Sequence, residues 1–303
     1  MSDQSVKPSA FFCVPFRTLK IIGLWQERNS SWQYQVYGFV HNFIVVQLHF
    51  LFSFLYLFHY ENFYDLTDCI AIFSTIFGEI LKTTNFVRKL QVVIKLVDSL
   101  EALMSEFGNN HSHERIAKHV KLVGSVYKIL LTLGVVSCIQ TGLISLLNVK
   151  DHTLAFRMHF PYIDHQNNDT WFIILALFQL TSISACIMVL TLDFLPVFFM
   201  AYATGLLEEL SDRLELVKVR PSVAQITADP TLIKPQSDEE DLKEILKCIE
   251  IHQKIKNLVA DVQKSFSFVI FIQGLISSVI FCAVAYLISM VRMFIILKRE
   301  QKL

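Results

Sequence analysis

The sequence predicts an all-α protein, a polytopic bundle of membrane-crossing helices with its N-terminus in the cytoplasm. Three observations carry that prediction. Of 303 residues, 53% are hydrophobic and only 18% charged, with a mean hydropathy of +0.46; a soluble domain carries about 25% charged residues. The apolar residues gather into stretches of about 20, the number that crosses roughly 30 Å of hydrocarbon. The period-2 alternation of a membrane barrel is absent, and lipid offers a spanning backbone no hydrogen-bond partner but the helix itself. The same composition, with 27 basic residues, 27 acidic residues and 6 Cys, excludes a disordered chain, a disulfide scaffold and a nucleic-acid binder that relies on basic charge.

Residues 1–35 read as a cytoplasmic N-terminal segment and residues 36–303 as the transmembrane domain. Residues 9–16 are apolar but short and broken by Pro15, so no cleavable leader is expected. The first span, residues 36–58, has no Lys, Arg, Asp or Glu and should act as the insertion signal. His41, Asn42, Gln47 and His49 interrupt it, and an inward polar seam explains them better than a proton relay. The second span, residues 66–81, is short and carries Asp68 near one end and Glu79 at the other. Residues 122–147, 171–202 and 266–297 complete the five, each expected as a helix. Asp193 lies 22 residues after Trp171, about 33 Å along a helix axis, which puts it at the inner interface in a structural role. Pro196 follows, a residue type that can kink a helix at that point. No paired intramembrane carboxylates are expected, which argues against an ion-coupled transporter.

Basic residues set the orientation. Lys7, Arg17, Lys20 and Arg28 precede the first span, and residues 59–65 between the first two spans hold none. The cytosolic connections 82–121 and 203–265, the second and the fourth, are rich in Lys and Arg, whereas the third, between the spans 122–147 and 171–202, holds only Lys150 and Arg157. The positive-inside rule then places the N-terminus, the second and the fourth connections in the cytoplasm. Arg292, Lys298, Arg299 and Lys302 fall on the outer side, against the rule, so the C-terminal end is expected not to be a natural one.

The two basic connections continue as amphipathic helices. Leu90, Val93, Ile94, Val97, Leu100, Met104 and Phe107 repeat at helical spacing until Gly108-Asn109-Asn110 ends the pattern. Leu206, Leu207, Leu210, Leu214 and Val217 extend the fourth span. Pro221, Pro230 and Pro235 mark a mobile connection, and Ser237 with Glu240 forms a capping box. The next stripe is Leu242, Ile245, Leu246, Ile249, Ile255, Leu258, Val259 and Val262. Such faces must pack on something, which favours a cytosolic bundle or a subunit interface over helices lying on the inner leaflet.

Signs of catalysis are missing. No phosphate-binding glycine loop, nucleophile elbow or H-E-x-x-H occurs, and the cysteines form no C-x-x-C, so neither an enzyme nor a cofactor is expected. His111 and His113 sit in a polar turn with no second ligand pair, so no metal site is expected. The outer halves of the second, third and fourth spans are instead apolar and aromatic with weak polar groups. Ile72, Phe73 and Ile76 come from the second span; Cys138, Gln140, Thr141 and Ser145 from the third; Phe172, Leu175, Phe178, Gln179 and Ser182 from the fourth. A pocket of this character suits small, uncharged molecules held by shape and dispersion. Asn168-Asp169-Thr170 is a glycosylation sequon in the expected outer loop, while the matches at Asn29 and Asn110 lie on the cytoplasmic side.

The loop His159-Phe160-Pro161-Tyr162-Ile163-Asp164, Trp171, Leu177-Phe178-Gln179-Leu180, Asp193-Phe194-Leu195 and Leu206-Leu207-Glu208-Glu209-Leu210 follow in an order that resembles the loop and fourth helix of insect odorant receptors. His252, Phe271-Ile272-Gln273-Gly274, Ser277-Ser278, Cys282 and the early Leu24-Trp25 are similar to the same family, so the resemblance spans the chain. It implies a seven-helix receptor with an inward N-terminus, in the plasma membrane of olfactory sensory neurons. The family assembles with a shared co-receptor subunit into a tetrameric cation channel gated by odorant. Its pocket lies in the outer half between the second, third, fourth and sixth helices, its last helix lines the pore, and its inner ends anchor the subunits. Here residues 36–303 give five spans, so the chain reads as truncated before one pocket wall and the pore, and in this form is expected not to conduct. A gustatory receptor relative shares the topology. A G-protein-coupled receptor fragment would need an outer N-terminus, and a transporter would need coordinating groups at mid-membrane.

Overall fold

The computed structural model describes residues 13–26, 30–58, 63–107, 110–147, 168–227 and 236–300, and these are helical apart from short turns and caps. The helices are α1 (Cys13–Ile21), α2 (Trp32–Asn42), α3 (His49–Tyr56), α4 (Phe63–Phe107), α5 (Asn110–Leu147), α6 (Asn168–Thr227) and α7 (Gln236–Glu300). Among the described residues four helical stretches are long and apolar enough to cross a membrane: Cys69–Phe107, Ile116–Leu147, Asp169–Leu216 and Asp241–Met290. They contain most of the expected second to fifth spans. The first expected span differs. It is a helical path in three parts, in which Phe43–Leu48 winds as a π-helix between α2 and α3.

The expected inward extensions are continuous with the spans. α4 runs 45 residues and stops at Phe107, just before the Gly-Asn-Asn signal. α6 runs 60 residues, with Pro196 buried inside it. It also continues through Pro221 to Thr227, which moves Pro221 out of the expected connection. A proline removes one backbone donor and can bend a helix without ending it. Pro230 lies outside the described residues, as do the loop 148–167, the side chains of His111 and His113, and those of Ser237 and Glu240.

The chain divides into two compact units. One comprises residues 1–14, 91–127 and 194–266, and its core follows the expected stripe of α4, with Val93, Leu100, Met104 and Phe107 buried; of the α6 stripe Leu206 and Leu210 are buried, while Leu207 and Leu214 are exposed. Gly205 lies against Ile116, where an added Cβ would come within 2.9 Å of the Ile116 Cα. Tyr127 packs edge-on to Phe194 and Phe198, with ring centroids 5.5 and 6.0 Å away. On α7 the stripe is only half as expected. Ile255, Leu258 and Val262 are buried together with Cys248 and Ile251, while Leu242, Ile245, Leu246 and Ile249 are exposed. Over residues 242–249 the buried face is thus turned from the one the large apolar side chains mark, and from Ile255 onward the two coincide.

Ion pairs decorate this unit. Lys254 Nζ lies 2.7 Å from Glu106 and 2.9 Å from Glu250, and these hydrogen bonds hold the ammonium above its ordinary pKa. Arg213 Nη2 donates to the Phe107 carbonyl oxygen at 2.6 Å, and its guanidinium lies 4.6 Å from the Phe107 ring centroid. This arginine therefore serves one of the last carbonyls of α4, which has no partner within its own helix.

The other unit comprises residues 15–90, 128–193 and 267–303. Phe50 and Phe54 of α3 pack on Phe73 of α4, with centroids 5.2 and 6.0 Å away. Gly78 admits α7 closely, since a Cβ there would lie 1.7 Å from Ile276 Cδ1. Gly134 and Gly142 do the same on α5, facing Cys186 and Gln179 of α6. Small residues that let helix axes approach are the usual device of packing in lipid, where burial of apolar surface gives no driving force between helices.

Candidate functional site

The candidate pocket residues of α5 and α6 come together. Gln179 Nε2 donates to the Cys138 carbonyl oxygen at 2.7 Å, and the Cys138 thiol lies 3.8 Å from the Ser182 carbonyl oxygen. Thr141 Oγ1 donates to the same Cys138 carbonyl at 2.6 Å, and Ser145 Oγ donates to the Thr141 carbonyl at 3.1 Å. Each hydroxyl thus satisfies itself on its own helix, as short polar side chains do in an apolar setting. Gln179 and the Cys138 thiol are the members that cross between helices. The Gln179 Oε1 is buried and accepts no hydrogen bond, leaving one acceptor beside Cys138 and Gly142.

The remaining candidates are placed more variously. Leu175 is buried, whereas Phe172 is exposed with its ring 5.2 Å from that of Trp171. Ile72 and Ile76 are half-buried on α4. Phe73 turns its ring to the α3 aromatics and to Phe77. Asn168 is the first residue of α6, and its side chain lies outside the described residues.

The structure also assembles a charged cluster in this unit. Lys82 Nζ lies 2.9 Å from Asp193 Oδ1, 2.9 Å from Gln273 Oε1 and 3.5 Å from Glu79 Oε2. The Lys82 side chain is 2% exposed and that of Glu79 4%. Thr83 Oγ1 is 3.4 Å from Glu79 Oε1. Two carboxylates therefore converge on one ammonium, joining α4, α6 and α7. This corrects two expectations: Lys82 is not a residue of a solvated connection, and Glu79 and Asp193 do share a site. A buried charge needs a partner because its desolvation costs several kcal/mol. Two signals pointed here. Glu79 and Lys82 are spaced i, i+3 and so share a helix face, and Asp193 in a span called for a buried cation.

The polar residues of the first span are also placed. His41 stacks on Tyr37 at 5.7 Å, and Asn42 Nδ2 donates to the Gly38 carbonyl oxygen at 2.6 Å. The side chain of His49 lies outside the described residues.

Residues 62–297 match the family model described as 7tm Odorant receptor. Among solved structures, the chain is similar to the insect olfactory receptor OR5 from Machilis hrabei. The TM-score is 0.66 at 16% identity, covering 92% of this chain and 71% of that one. The same receptor in complex with eugenol gives a TM-score of 0.67 at 15% identity, covering 93% and 71%. No curated protein sequence matches the chain.

Proposed function

Since the chain belongs to the 7tm odorant receptor family, a class of membrane receptors and channels and not of enzymes, we propose that it is an odorant-binding subunit. It works with a co-receptor subunit in a tetrameric, odorant-gated cation channel at the plasma membrane of olfactory sensory neurons. Its ligand is a small, uncharged volatile molecule, held among Ile72, Phe73, Ile76, Cys138, Thr141, Ser145, Phe172, Leu175 and Gln179. Asn168 carries the glycan.

The observation that supports this reading most is the family match across residues 62–297. The α5–α6 contact adds a chemical detail. Gln179 Oε1 is a buried acceptor without a donor, so a ligand hydroxyl gains there what a hydrocarbon of the same shape does not. The odorant receptor from Machilis hrabei binds eugenol, a phenol, and that compound is the natural first probe.

Binding of eugenol and of its methyl ether to the purified chain, followed by tryptophan fluorescence, tests the reading. Eugenol should saturate the signal, and Gln179→Leu should weaken eugenol about fivefold, the worth of one hydrogen bond, while leaving the ether unchanged. Absence of saturable binding by eugenol and by a panel of other small phenols and alcohols sinks the proposed pocket.

A further inference from the structure

A groove of about 400 Å³ lies alongside α2 and α4, lined only by residues within 23–47 and 80–90. None of the candidate odorant residues borders it. Its floor is fixed by the crossing of two glycines. A Cβ on Gly38 would lie 2.3 Å from the Gly23 carbonyl oxygen, and one on Gly23 would lie 2.4 Å from the Gly38 Cα. Gly23 also has φ 75°, a conformation that side chains disfavour. Two tyrosines of α2 secure the end of α1 above this crossing: Tyr34 Oη donates to the Lys20 carbonyl at 2.7 Å and Tyr37 Oη to the Ile21 carbonyl at 2.6 Å. The groove is therefore built before anything enters it.

The chemistry of the lining is narrow. Phe39, Ile80 and Val87 give it apolar walls, and no lining residue is charged. Asn42 borders the groove with Nδ2 committed to the Gly38 carbonyl, while its Oδ1 is buried and accepts no hydrogen bond. Phe43 and Gln47, which also line it, belong to the π-helical segment. A π turn gives up the regular α ladder and is frequent at functional sites.

We propose that this groove is a second small-molecule site, one that takes a neutral aliphatic alcohol from the bilayer. The volume falls in the range of ligand pockets, about 300–1,000 Å³. An apolar body fits the Phe39, Ile80 and Val87 walls, and the hydroxyl donates to Asn42 Oδ1. Carboxylates and amines are disfavoured, because nothing in the lining compensates a charge taken out of water. This site does not rest on the odorant-binding reading, and either can fail without the other.

The test uses the full chain in phosphatidylcholine nanodiscs and a decanol carrying a diazirine and an alkyne. Photolabelling, mapped by mass spectrometry, should fall on residues 35–47 and 80–90 and be competed by decanol. The methyl ether of the same probe should label those segments about fivefold less. Asn42→Leu should remove that difference, and Thr84→Trp, at an exposed lining position, should block both probes. Should Asn42→Leu fail to fold, the alcohol-to-ether ratio on the parent chain still decides. Equal labelling by alcohol and ether, unsaturable labelling spread along the chain, or equal competition by decanoate overturns the proposal.

Discussion

Lys82 and Asp193, 111 residues apart in the chain, meet at 2.9 Å, and Gln273 of α7 accepts a second hydrogen bond from the same ammonium at 2.9 Å. Three helices are thereby fastened through one side chain. The fastening is asymmetric, because Glu79 and Asp193 share a single cation.

Removing that cation should be costly. Lys82→Met leaves both carboxylates without a counter-charge and should lower stability by about 3–5 kcal/mol. Asp193→Asn should cost less, because Asp193 is partly exposed at 22% and Lys82 keeps Glu79 as partner. Denaturation in detergent followed by circular dichroism measures both. Equal losses for the two variants would show that the cluster is not organised around the lysine.

Gly78 makes a different demand. A methyl group there must displace Ile276 Cδ1, so Gly78→Ala should destabilise by about 1–3 kcal/mol through overpacking. Adding Ile276→Val removes that carbon and should restore part of the loss. If the double variant is no more stable than Gly78→Ala alone, α4 and α7 do not meet at this point.

Arg213 should not be replaceable by lysine. Its planar group donates to the Phe107 carbonyl while lying over the ring, and an ammonium cannot keep both contacts. Arg213→Lys should cost about 1–2 kcal/mol. Hydrogen exchange should quicken in the last turn of α4 and remain unchanged near Lys82. Uniform quickening along the chain would point to global destabilisation instead.

Phe73 offers a check on its role at the α3–α4 contact. Phe73→Leu keeps apolar bulk but loses the ring pairs with Phe50 and Phe54, worth about 0.5–1.5 kcal/mol. A melting temperature indistinguishable from the parent would show that those pairs add nothing beyond bulk.

Much of the architecture was legible in the residues. The end of α4 followed from Gly108-Asn109-Asn110, and the buried positions of α4 followed from 3.6-residue spacing of apolar side chains; on α6 the same spacing also marked Leu207 and Leu214, which are exposed. What escaped the reading has identifiable causes. Counting Lys82 as a topogenic charge treated it as solvated, although Glu79 one turn earlier shared its face. Pro221 was placed in a mobile connection, whereas α6 continues through it. The exposed Leu242, Ile245, Leu246 and Ile249 show that size and apolarity mark a face without saying that it is covered. Cys138 and Gln179 were marked separately by residue character, whereas the hydrogen bond between them depends on the close approach of α5 and α6 at Gly142, which residue character does not give. The turning of Phe73 toward α3 depended on an aromatic row in the first span that no local pattern announces.

The π segment has a consequence for rotational phase. Each residue advances an α-helix by about 100°, so the wider turns of Phe43–Leu48 set the azimuth at which α3 emerges. Phe50 and Phe54 face Phe73 only at that azimuth. Deleting one residue between 43 and 48 would let the stretch rewind as an ordinary helix with both rings near their present azimuth, because about five α residues turn through the angle that the six residues of the wider turns cover, whereas deleting two would swing the rings round by roughly 100°. The first hydrophobic stretch therefore holds one residue in reserve, and losing it should leave α3 mated to α4 while losing a second should unmate it.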